Sequence, residues 1–106
     1  MSENARQACL DVLANDPSNA RALHVLGVIE IDGGNAREGI ELIERSIRIE
    51  PTSHAYNDLG QTWAQMNVMD LAGRSFLKAI QIDESNAHAH NNLGRLAEME
   101  GNLGTA

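Results

Sequence analysis

A chain of 106 residues, 42% hydrophobic and 22% charged, has apolar side chains for one modest core and excludes a large multi-domain enzyme. Eight scattered basic residues against fifteen acidic ones give a net charge of −7, which excludes the clustered Lys and Arg that release counterions from nucleic acid. No apolar run approaches a membrane span, no basic-then-apolar leader opens the sequence, and a single cysteine, Cys9, allows no internal disulfide, all of which suits a cytoplasmic location. Nothing cationic flanks Cys9, so it reads as a small buried hydrophobe rather than a reactive thiol.

The apolar spacing is helical throughout, and no segment alternates with period two. It predicts helices over 3–15, 20–32, 36–49, 54–66, 69–82 and 87–100. The first ends at Asp16-Pro17-Ser18-Asn19. In the second, Leu23, Leu26 and Ile29 form the buried stripe, and Gly33-Gly34-Asn35 ends it. The third carries Ile40, Leu42, Ile43 and Ile47, with Glu41–Arg45 and Glu44–Arg48 as one-turn ion pairs worth about 0.2–0.5 kcal/mol each. The fourth follows Glu50-Pro51-Thr52-Ser53 and stops at Met66-Asn67. The fifth buries Phe76, Leu77, Ala79 and Ile80, and the sixth runs from Glu84-Ser85-Asn86 to Gly101-Asn102. Gly34, Asn67 and Gly101 tolerate the left-handed conformation that ends a helix. Asn19, Ser53 and Asn86 can cap the helices that follow them.

These segments are near-copies. Leu-Gly recurs at Leu26-Gly27, Leu59-Gly60 and Leu93-Gly94, 33 and then 34 residues apart. One copy reads Tyr56, Leu59, Gly60, Trp63, Ala72, Phe76, Ala79, with Glu84 where a proline is usual. The copy before it reads Leu23, Leu26, Gly27, Glu30, Gly39, Ile43, Ser46, Pro51. Upstream, Ala5, Cys9, Val12 and Pro17 match only the second half of this pattern; downstream, His90, Leu93, Gly94 and Ala97 match only the first half. The copies resemble tetratricopeptide repeats, whose pattern runs W-x2-L-G-x2-Y, then A-x3-F, then Pro.

The resemblance implies an all-α fold: a short right-handed α-solenoid of antiparallel helix pairs, about six helices, forming one array over 1–106. Full repeats would span 20–52 and 53–86, with a second helix of a partial repeat in 1–19 and a first helix in 87–106. The physics of such pairs explains the residue types. Helices crossing at about 20° approach closely only over small side chains, here Gly27, Gly60 and Gly94 on first helices and Ala5, Gly39 and Ala72 on second helices. Glu30 departs from the pattern, standing where Tyr is usual; it either bonds a neighbouring helix or weakens its copy. The copy that contains it is one residue short, so the Pro51–Ser53 connection should be tight.

In this family first helices line a concave groove that takes a peptide or protein segment. The matching positions are Arg21, His24, Val28, Ile31 and Asp32; His54, Asn57, Gln61, Ala64 and Gln65; and His88, Asn91, Arg95, Glu98 and Met99. Asn and Gln both donate and accept, which suits a peptide backbone, and Val28 with Ile31 would form an apolar anchor. A subclass clamps a carboxylate with Lys, Asn and Arg, but no lysine stands in this groove and His24 and Val28 occupy the first clamp positions. Tyr56-Asn57-Asp58-Leu59-Gly60 and His90-Asn91-Asn92-Leu93-Gly94 are similar to repeats flanking O-linked N-acetylglucosamine transferases. Of the asparagine row those carry, only Asn92 stands here, with Val25 and Asp58 in the other copies.

No nucleophile neighbours a base by any motif, and His24, His54 and His88 fall on separate helices without metal-ligand spacing, so neither enzyme activity, metal nor cofactor is expected. Leu10 at one end, and Leu93, Leu96 and Ala97 at the other, would be left exposed, to be covered either by further repeats of a longer protein, which is the favoured reading, or by self-association. Ala106 and Ala5 share a phase of the repeat, so head-to-tail contact would complete a helix pair. The sequence thus points to a non-catalytic interaction module, with homo-oligomeric assembly as the alternative.

Overall fold

The computed structural model describes residues 2–104, with side chains over 3–100. Six helices follow in order: α1 (Ser2–Asn15), α2 (Ala20–Asp32), α3 (Ala36–Ile49), α4 (Ser53–Gln65), α5 (Met69–Ile82) and α6 (Ala87–Gly104). Among the described residues there is no strand. The chain forms two compact units, one up to Pro51 and one from Thr52 onward. In the first, α2 packs on both α1 and α3; in the second, α4, α5 and α6 pack on one another.

Helix ends follow local chemistry. Asn19 Oδ1 accepts from the Ala22 amide and Asn86 Oδ1 from the Ala89 amide, so both are N-caps. The cap of α4 is Thr52, whose Oγ1 accepts from the Ala55 amide. The sequence reading gave that role to Ser53. Thr52 lies seven residues before its Leu-Gly step, as Asn19 and Asn86 lie before theirs, because the connection over 50–52 is one residue shorter than that over 83–86. Gly34 (φ +94°) and Asn67 (φ +66°) are left-handed as expected. After each, an amide reaches back five residues, Asn35 N–H to the Glu30 carbonyl and Val68 N–H to the Trp63 carbonyl, both at 2.8 Å. Gly101 behaves differently and lies within α6. Among the described residues no further helix folds back there, and the helical bonds simply continue.

The first unit is built around a backbone-to-backbone approach. A Cβ placed on Gly27 would lie 2.8 Å from the Gly39 carbonyl oxygen and 2.7 Å from Ile43 Cγ1, while one on Gly39 would meet the Gly27 carbonyl and the Ile31 side chain. Leu23, Leu26, Ile40 and Ile43 close the core beside this contact. In the second unit the ring of Phe76 fills the equivalent gap, 2.5 Å from where a Gly60 Cβ would stand. Ala72 and Leu96 complete that core, with Trp63, Met69 and Leu93 packed against it. Gly94 was expected to make a third close contact, but among the described residues nothing approaches its missing Cβ within 4 Å, and Ala5 is exposed. Leu77 also points outward, since Phe76 and Ala79 already occupy the buried side of α5.

Polar groups are settled across the same joints. Ser46 Oγ donates to the Ala20 carbonyl in the first unit, and Ser53 Oγ donates to the Ala79 carbonyl in the second. Glu30 bonds a neighbouring helix, as one of the two sequence readings had it: Arg6 Nη2 of α1 lies 2.6 Å from its carboxylate, whose side chain is largely buried. Among the described residues, Glu41–Arg45 and Glu44–Arg48 are not in ion-pair contact. Burial pushes the Cys9 thiol up from its ordinary pKa, in keeping with an inert core residue. Asp83 is held below the usual aspartate range by the Ser85 hydroxyl and then the Ser85 amide.

Two outcomes follow. Gly39→Ala should cost about 1–3 kcal/mol by overpacking, whereas Gly94→Ala should add about 0.5–1 kcal/mol, because there the added methyl meets open space. Thermal melts followed by circular dichroism should therefore shift in opposite directions. For Arg6 and Glu30, a double-mutant cycle with Ala at each should return a coupling of about 0.5–3 kcal/mol, the range for side chains in direct contact.

Candidate functional site

The residues nominated for a groove separate by environment once the helices are packed. In the first unit, Arg21 is exposed and His24 and Val28 are half-buried. Ile31 packs over Gly39, so it belongs to the α2–α3 contact and is not an open anchor. In the second unit, His54, Gln61 and Gln65 on α4 and His88, Asn91 and Arg95 on α6 are exposed.

Asn57 is a correction. It is 6% exposed, and its Oδ1 accepts from Asn92 Nδ2 at 2.9 Å, so the packing of α6 on α4 consumes it. Leu96 is another: it was expected on an open end face but is 3% exposed, lodged against Ala72 and Phe76. The helical phase explains this, since Leu96 faces α5 while Ala97 turns outward and is exposed. Leu93 is half-buried, and Leu10 is exposed as expected.

What the second unit does assemble is a concavity of about 240 Å³ between α4 and α6. Phe76 and Leu96 line it with Ala64, and Met99 adds a flexible apolar wall. Gln61, Gln65, Asn92 and Arg95 supply its polar groups. Five nominated residues, Gln61, Ala64, Gln65, Arg95 and Met99, thus meet in one place. Phe76 was missed as a lining residue because it read as core, and Leu96 because it was assigned to an open end face; the A-x3-F spacing that placed Phe76 inside did not reveal that the concavity reaches it.

The arrangement suits binding rather than bond-making. Two amides offer donors and acceptors to a backbone, one guanidinium offers a forked donor to a carboxylate, and an apolar floor accepts a side chain. Among the described residues no group of three or more His, Cys, Asp or Glu could hold a metal ion. No helix among them is long and apolar enough to cross a membrane.

The chain is similar to MamA in two crystal structures. One superposes with a TM-score of 0.83 at 26% identity, covering 94% of this chain and 59% of that one. The other gives a TM-score of 0.86 at 22% identity, covering 95% of this chain and 56% of that one. This chain therefore spans less than two thirds of MamA. It is also similar to a mutant O-GlcNAc transferase of Thermobaculum terrenum, with a TM-score of 0.82 and 25% identity over 86% of this chain and 18% of that one. No protein-family model and no curated protein matches it.

Because Asn57 is buried and bonded while the amides around it are exposed, substitutions should separate cleanly. Asn92→Ala, which orphans the Asn57 carbonyl oxygen, should cost about 1–3 kcal/mol in urea unfolding. Gln61→Ala, Gln65→Ala and Arg95→Ala should each stay within about 0.5 kcal/mol of the parent chain.

Proposed function

We propose that this chain, which has the tetratricopeptide-like all-α fold of MamA, is a non-catalytic interaction module that takes a protein segment into the α4–α6 concavity. Protein–protein interaction and scaffolding are the general role of this fold, and the described residues hold no catalytic constellation. The observation that carries the finer reading is the pairing of an apolar floor with unspent polar groups. Phe76 and Leu96, 2% and 3% exposed, form the floor beneath a rim of exposed Gln61, Gln65 and Arg95.

The chemistry of the lining defines the occupant. An extended segment would place one aliphatic or methionine side chain on Phe76 and Leu96, where Met99 can adjust to its shape. Gln61 and Gln65 would bond its backbone, and Arg95 would pair with a neighbouring Asp or Glu. The chain's overall acidity does not oppose such a ligand, because the local charge at the rim is that of Arg95. Repeats at 20–52 and 53–86, flanked by half repeats, would be the units of the array, and the lone buried thiol fits a cytoplasmic setting.

Selection of displayed random peptides on the intact chain should enrich an aliphatic or Met residue beside Asp or Glu. Titration calorimetry should then show the affinity for such a peptide falling by about tenfold or more with Arg95→Glu, the loss of roughly one good charged contact. The triple change Gln61→Ala, Gln65→Ala, Arg95→Ala should abolish binding with helicity unchanged. Peptides selected without an apolar anchor, or bound equally by the triple variant, would refute the site.

A further inference from the structure

Exposed apolar side chains are unevenly shared among the helices. Among the described residues, three of the nine large hydrophobics left open stand on α5, and no other helix holds more than two. They are Leu71 at 37%, Leu77 at 51% and Ile82 at 46% exposed. At spacings of three, four and four residues, Leu71, Arg74, Lys78 and Ile82 form one ridge, roughly 16 Å long at the helical rise. It runs along the side of α5 away from its buried Ala72, Phe76 and Ala79. Leu77 stands beside Arg74, one turn on. Arg74 and Lys78 are exposed, and among the described residues neither is in an ion pair.

The repeat register shows that this ridge stays open when other repeats adjoin it. Its counterparts on α3 are Glu38, Glu41, Arg45 and Ile49, and all four are exposed although repeat helices precede and follow α3 in the chain. On α1 they are Asn4, Gln7, Asp11 and Asn15, exposed likewise. What changes from copy to copy is the chemistry. The ridge of α1 is polar, with Gln7 bonded to Asp11. On α3, Glu38, Glu41 and Glu44 balance Arg37, Arg45 and Arg48. On α5, aliphatic side chains flank two cations, and Asp70 in the first turn is the helix's single acid.

We propose that the outer ridge of α5 is a docking surface for an acidic amphipathic helix of a partner protein. Charge sets the sign of that partner: a chain at −7 repels acidic segments in general, and Arg74 with Lys78 makes a place where one can settle. Backbone chemistry sets its conformation. The amides and carbonyls of α5 are engaged within the helix, so the ridge offers nothing to the main chain of an extended segment, whereas a helix satisfies its own. Helices laid side by side interlock residues three and four apart. Aliphatic side chains of the partner would therefore meet Leu71, Leu77 and Ile82, while its Asp or Glu would pair with Arg74 and Lys78. An anionic membrane offers the same sign of charge, but its broad surface would repel the acidic chain as a whole. None of these exposed residues lines the α4–α6 concavity, so the two proposals fail independently.

The test uses the whole chain carrying Gln61→Ala, Gln65→Ala and Arg95→Ala, which disables that concavity. Selection on it of displayed helical peptides randomised along one face should enrich Leu, Ile or Met at three- and four-residue spacing, with Asp or Glu between them. Titration of a selected peptide should show affinity about tenfold or more weaker after Arg74→Glu with Lys78→Glu, and weaker also after Leu71→Gln. Binding to the parent ridge should fall as salt is raised. Arg45→Glu, at the repeat position of Lys78 on α3, should leave it unchanged. All the altered residues are exposed, and circular dichroism checks that each variant keeps the parent's helicity. Selection that enriches basic peptides or none, equal binding by the charge-reversed variant, or an equal loss from Arg45→Glu overturns the proposal. So does cosedimentation of the chain with vesicles of equal parts phosphatidylcholine and phosphatidylserine that is abolished by Arg74→Glu with Lys78→Glu, since the ridge would then serve a membrane.

Discussion

The structure depends on how closely two helices of a pair can approach. In the first unit the limit is set by backbone: Gly27 and Gly39 face each other, each standing where a Cβ would strike the other's carbonyl oxygen. In the second unit Ala72 takes the place of Gly39 and Phe76 that of Ile43, and the ring occupies the room that Gly60 leaves. The same gap is thus filled in two ways, by near-contact of main chains with an aliphatic wedge or by an aromatic face laid on a glycine. Interiors pack to crystal-like density, so either solution excludes the other's residues. This is why Gly27 and Gly60 stand on the first helices of the two pairs while the residues opposite them vary.

A second regularity concerns where the helix pairs are tied. In the first unit the hydroxyl comes from the second helix, Ser46, and bonds a carbonyl at the start of the first, Ala20. In the second unit the direction reverses, with Ser53 at the start of the first helix and the carbonyl of Ala79 on the second. Ser46 and Ala79 are equivalent positions, as are Ala20 and Ser53, so serine and alanine have exchanged places while one hydrogen bond has been kept. A helical carbonyl has a spare lone pair whichever helix owns it, and a small residue must face the hydroxyl for the approach to be made. The constraint is on the pair, not on either position.

Much of this was legible in the sequence. Periodicity and turn chemistry located all six helices to within a residue at most ends, and Gly34 and Asn67 were recognised as left-handed before any coordinates. The departures share a cause: each depended on what lies against a residue rather than on the residue itself. Gly101 resembles Gly34 and Asn67 in sequence, yet it lies within α6. Ser53 is as good a cap as Thr52 by type, and only its burial against Ala79 and Asn86 decides the matter. Glu30 looked like a defect or a bond, and Arg6, distant in sequence, settled which.

Asn57 and Asn91 show why a binding surface in a repeat protein cannot be taken from repeat position alone. They are equivalent, one repeat apart and of the same type, yet Asn57 is buried and bonded to Asn92 whereas Asn91 is exposed. The difference is the neighbour: α6 packs on α4, and among the described residues no further first helix packs on α6. A position available for recognition must stay open whether or not a neighbour is present. Gln61 and Arg95 are such a pair, exposed on α4 and on α6 alike, and so are Gln65 and Met99. These four converge on the same concavity. Stacking therefore sorts the polar residues of a first helix into those spent on the next helix and those that stay open, and in the second unit the open set lies beside an apolar floor.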